Sequence, residues 1–138
     1  MATVEVSFSP LPAHVRTARL VATAVARRSG VSETLMDEVR LAVGEACSRA
    51  VETHAAHCPD EPVKVALSSQ EGRFEIEVVN AGRPAGGPGA DGAQLPPGFS
   101  LAVIAGLADD VQISETNGGT SVKMSWPLSG SLAAGSPA

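Results

Sequence analysis

Aromatic side chains are scarce in this chain of 138 residues: Phe, Trp and Tyr make up 3%, with one Trp and no Tyr. Recognition of single-stranded nucleic acid relies on such rings as stacking platforms, so that function class is excluded. Basic runs are missing too. Lys and Arg number 10 against 15 Asp and Glu, a net charge of −5, and no Lys/Arg block offers the footprint of a duplex binder. No apolar run approaches the ~20 residues needed to span a bilayer. The start, Met1-Ala-Thr, carries neither a basic segment nor an apolar stretch of signal type. No nucleic acid and no membrane are therefore expected as partners, and a cytoplasmic location is expected. Cysteine is limited to Cys47 and Cys58, wrongly spaced for a zinc knuckle. His54, His57 and Cys58 lie close in sequence, but they read as the frayed last turn of a helix, and no metal site is expected.

What remains is 43% apolar residues, mainly Ala, Val, Leu and Ile, enough for one two-layer core. Residues 3–8 alternate Val4, Val6 and Phe8 with Thr3, Glu5 and Ser7, which predicts a half-buried strand. Pro10 and Pro12 close it. A helix over 13–28 follows, with Val15, Ala18, Leu20, Val21, Ala24 and Val25 apolar and Arg16, Arg19, Arg27 and Arg28 left to solvent. Gly30 stops it as a left-handed cap residue. Ser32 is the next N-cap, and Glu33, Asp37 and Glu38 place negative charge at the positive end of the dipole. The helix it opens, 35–57, buries a stripe of Leu35, Val39, Ala42, Val43, Ala46, Ala50 and Val51, with Cys47 as a small core residue. Val63, Val65 and Leu67, a Glu71-Gly72 turn, then Phe74, Ile76 and Val78 predict a hairpin.

Residues 81–97 are rich in Gly and Pro without periodicity, a lid-like loop. A short apolar helix is expected over 99–108, and a second hairpin pairs 111–115 with 121–126 around Asn117-Gly118-Gly119. A disordered tail is expected over 128–138. This order implies an α+β two-layer sandwich, a mixed, mostly antiparallel sheet with helices on one face, in one domain over 1–127.

The stretch Asp37-Glu38-Val39-Arg40-Leu41-Ala42-Val43-Gly44-Glu45-Ala46-Cys47-Ser48-Arg49-Ala50-Val51 resembles the N-box helix of the GHKL (Bergerat-fold) ATPase superfamily. The likeness is to the anti-sigma-factor serine/threonine kinases of bacterial partner-switching systems, whose box reads approximately Leu-Ala-Val-Ser-Glu-Ala-Cys-Thr-Asn-Ala-Val. It runs over about residues 4–127: a first glycine box, a lid, a second glycine turn opening a helix, and Gly-Gly-Thr before the last strand. The resemblance implies ATP with Mg²⁺ as cofactor. It also implies a sigma factor and a STAS-domain anti-sigma-factor antagonist as partners, and a homodimer for which the Val4-Val6-Phe8 strand is a candidate edge.

Glu45 matches the catalytic glutamate, which would activate the attacking hydroxyl as general base. Arg49 stands where the family has the Asn that holds Mg²⁺, and a guanidinium offers donors only. Four residues apart on one helix face, Glu45 and Arg49 are placed to pair, which would make the carboxylate a poorer base. The same spacing suits an ordinary surface ion pair. Asn80 replaces the Asp that accepts the adenine amino group; Gly82 is retained, while Pro84 takes the place of the second glycine and removes an N–H. Gly98 keeps the second glycine turn, a helix N-terminus of the kind that binds phosphate, but Ser100 stands where a further glycine is expected. Thr120, after Gly118-Gly119, matches a contact near the base. Read without the family, residues 80–84 are a strand-ending turn and 118–119 a hairpin turn.

With these departures the resemblance implies an anti-sigma-factor-like regulator that acts by binding proteins, its kinase activity weak or lost. The alternative is an active serine kinase in which Arg49 replaces Mg²⁺ as the charge on the phosphates. A third reading is an unrelated α/β binding module.

Overall fold

The protein is described by a computed structural model over residues 2–80, 104–116 and 119–128. Strands β1 (Ala2–Phe8), β2 (Val63–Gln70), β3 (Arg73–Asn80), β4 (Asp110–Thr116) and β5 (Gly119–Pro127) form one sheet in the order β1-β2-β3-β5-β4. Its pairings are antiparallel throughout the described residues, in line with the mostly antiparallel sheet expected. Helices α1 (Pro12–Ser29) and α2 (Met36–His57) pack on each other and against β2 and β3.

The register explains why the sheet has two unlike faces. Side chains alternate along a strand, so residues in register share a face across the sheet. One rung runs Val4, Leu67, Ile76, Met124, Val111, and the next Val6, Val65, Val78, Val122, Ile113. The central members, Leu67, Ile76, Met124, Val65, Val78 and Val122, are buried under the helices with Phe74 and Trp126, whereas Val4 and Ile113 on the outer strands are exposed. The opposite face carries Glu5, Ala66, Glu77, Lys123 and Gln112 in one rung, and Ser121 there donates its hydroxyl hydrogen to Glu77. Burying each large apolar side chain contributes roughly 1.5–3 kcal/mol, and Phe74 and Trp126 are the two largest that are fully buried.

Both hairpins form as the pattern predicts. In the β2–β3 turn Glu71 and Gly72 have φ of 53° and 77°, the double left-handed geometry of a tight hairpin turn. The Trp126 indole N–H donates to Leu107 O at 3.2 Å, fastening a helical turn at residues 104–107 to the sheet. That turn and the fully buried Ile104 are the described part of the helix expected over 99–108. The lid-like stretch 81–97 and nearly all of the expected tail lie outside the described residues; Leu128 donates its backbone N–H to Gly72 O at 2.9 Å.

Three local expectations need correction. Leu20 is 61% exposed rather than part of the α1 core. The buried side of that helix is the narrow stripe Val15, Ala18, Ala22, Thr23 and Ala26, and Leu20, two residues past Ala18, points more than half a turn away. Arg19, expected in solvent, lies across the helix pair: a Cβ placed on Gly44 would sit 2.9 Å from its Cδ. His54 is not at a frayed end. It is fully buried, with Nδ1 2.9 Å from Glu61 O, and so ties the end of α2 to the approach to β2.

The remaining helix ends follow their sequence signals. Gly30 adopts φ of 109° and its N–H bonds Ala26 O and Arg27 O. Ser32 caps a short 3-10 turn, Glu33–Leu35, by accepting from the Thr34 N–H, and α2 continues from it. Arg27 bonds Glu33 at 2.7 Å and holds that carboxyl below its usual range, an exposed clasp between the two helices.

Candidate functional site

A cleft lies where α2 passes over the ends of β3 and β5. From α2 it takes Ala46, Arg49, Ala50 and Thr53, and the spacing of three, four and seven residues puts them on one helix face. From the sheet it takes Val78, Asn80, Thr120 and Val122. These four are two cross-strand pairs, Val78 with Val122 and Asn80 with Thr120. The sheet therefore offers an apolar pair followed by a polar pair, the latter at the end of β3 where the strand runs into the glycine-box stretch. Its volume is about 50 Å³.

Three of the candidate residues, Arg49, Asn80 and Thr120, come together here although the last is far from the first in sequence. Glu45 is half-buried on the same helix but does not line the cleft. The Glu45–Arg49 ion pair is not formed: among the described residues the ion pairs are Arg27–Glu33, Arg40–Asp37 and Arg73–Asp109. Half-buried and without a carboxylate partner, Arg49 is the one charged side chain of the lining. Gly82, Gly98 and Ser100 lie outside the described residues.

Thr53 was not singled out from the sequence, although a hydroxyl one turn beyond Arg49 in an Ala/Val stripe is a signal. Val78 and Val122 were legible as core strand residues but not as a cleft wall, because their pairing depends on strand order. On another side of α2, Arg19 crosses Gly44 and its charge reaches Cys47. Burial nevertheless pushes the Cys47 thiol up to about 12.

Among the described residues of the lining, Arg49 offers a guanidinium and no oxygen ligand for Mg²⁺, no carboxylate is present, and the oxygen donors are the neutral Asn80, Thr53 and Thr120. Among the described residues no group of three or more His, Cys, Asp or Glu is placed to hold a metal ion. No described helix is long and apolar enough to cross a membrane.

Comparison with known proteins gives the fold a family. The structure of the RsbU and RsbW domains of Rv1364c from Mycobacterium tuberculosis superposes with a TM-score of 0.71 at 18% identity, over 93% of this chain. The match spans 33% of that longer chain. A search of curated proteins finds no match. Residues 8–126 match the histidine kinase-like ATPase domain, and with that match over most of its length the chain belongs to the histidine kinase-like ATPase domain family.

Proposed function

We propose that residues 1–127 form a regulatory binding domain of a partner-switching system, which grips a sigma factor or its STAS-domain antagonist and transfers phosphate poorly or not at all. The observation that carries this reading is Arg49 in the cleft, at the position where the N-box resemblance calls for the magnesium-holding Asn. Asn80 in place of an Asp weakens the adenine contact further, because a neutral amide lacks the charge assistance of a carboxylate. The family and the fold shared with an RsbW domain support the regulator class.

The partner surface we assign to the outer side of the helix pair. Leu20 and Leu41 are 61% and 57% exposed there, and Arg16, Arg27, Arg28 and Arg40 are exposed on the same two helices. Exposed leucines on helices that also carry exposed arginines, of which Arg27 and Arg40 are paired with Glu33 and Asp37, suit a protein partner that covers an apolar centre with a polar rim.

The test uses a STAS-domain antagonist and a sigma factor with the purified protein. A stable complex with either, and no phosphoserine on the antagonist in the presence of ATP and Mg²⁺, is the expected result. Phosphorylation at a kinase rate, on the order of 1–100 s⁻¹, would show an active serine kinase instead.

A further inference from the structure

The departure at Arg49 has a steric side as well as a chemical one. A water molecule takes about 30 Å³. Pockets that enclose a small-molecule ligand run to about 300–1,000 Å³. At about 50 Å³ the cleft beneath α2 is well below that range. Among the described residues of its lining, the helix side is Ala46, Ala50 and Thr53 and the sheet side Val78, Val122, Thr120 and Asn80, all short, and Arg49 is the one long side chain. It lines a site whose sheet side sets Thr120 beside Asn80 in register, the type of floor that reads the edge of a planar base.

We propose that Arg49 is a built-in plug: its side chain takes the space a nucleotide base would need. The inference rests on the protein-binding reading above and adds why the cleft takes no nucleotide. It makes a gain-of-function prediction. Shortening Arg49 opens a cleft whose polar floor is intact, and the protein acquires affinity for adenine nucleotides. Arg49→Met, which keeps a long stem without the charge, leaves the cleft closed. The plug acts by volume; loss of the positive charge alone is not enough.

The experiment is calorimetric titration of the full chain with ATP, and separately with adenosine. Wild type, Arg49→Ala, Arg49→Asn and Arg49→Met are compared, each checked for an intact cooperative melt. The expected result is an affinity at least about tenfold higher for Arg49→Ala and Arg49→Asn than for wild type, with Arg49→Met unchanged. Both ligands bind, because the gain is at the base. Two results would overturn the plug: folded Arg49→Ala and Arg49→Asn that bind no better than wild type, or Arg49→Met that binds as well as they do. Either would leave the protein-binding reading standing. Phosphorylation of the antagonist by wild type would remove that reading instead.

Discussion

At Cys47 the side chain is fully buried on α2, and burial lifts its pKa from the ordinary 9.0 to about 12. The sign of the linkage follows from which state keeps the proton. Above about pH 9 an unfolded thiol ionises, while the folded one stays neutral until about pH 12. The contribution to stability is therefore full below pH ~9 and declines as pH rises, by up to about 1.4 kcal/mol per pH unit. Urea unfolding at pH 9 and pH 10.5 is expected to show a smaller alkaline loss in Cys47→Ala than in wild type. Equal losses would mean that the thiol is not titrating with folding. His54 belongs to the same scale. It was readable as a last-turn histidine, but its burial against Glu61 O depends on how the chain turns towards β2, which no local pattern encodes.

Between α1 and α2 the contact is governed by small residues, with Gly44 of α2 facing Arg19 of α1. Alanine is about 1 kcal/mol better than glycine inside a helix. In Gly44→Ala that gain is offset, because the new methyl group would lie 2.9 Å from Arg19 Cδ and Arg19 has to move. Gly44→Ala in an Arg19→Ala background removes the obstacle, and a gain of about 1 kcal/mol over Arg19→Ala is expected from urea unfolding. No difference between the two backgrounds would contradict the close approach. The elements themselves were legible because their signals are local. Glu71-Gly72 dictates a tight turn, Gly30 a helix stop, and alternation at 74, 76 and 78 a one-sided strand. What was not legible is relational. Leu20 counts as apolar in composition yet falls off the narrow stripe of Ala18, Ala22 and Ala26, and the half-buried Arg19 can lie against α2 because Gly44 has no side chain there. The site divides the same way. Arg49, Asn80 and Thr120 were readable through the family resemblance, whereas the walls Val78 and Val122 required the β3–β5 pairing to be known.

Among the described residues the helix layer carries exposed leucines and the outer face of the sheet is mostly polar, so the apolar surface is on the helix side. Leu20→Glu puts a charge on that surface without touching the core. It is expected to weaken the complex with the antagonist or sigma factor at least about tenfold in a pull-down titration, with the melting temperature unchanged. An unaltered affinity would move the partner surface elsewhere. The chain keeps the family fold, and on the reading proposed above its cleft is altered at a position that chemistry makes decisive, since a guanidinium cannot replace an oxygen ligand of Mg²⁺. The measurement that bears most directly on this is calorimetric titration of the wild-type protein with ATP, with and without Mg²⁺. The account predicts no heat of binding in either condition. Micromolar binding that strengthens with Mg²⁺ would contradict it and restore a working nucleotide site.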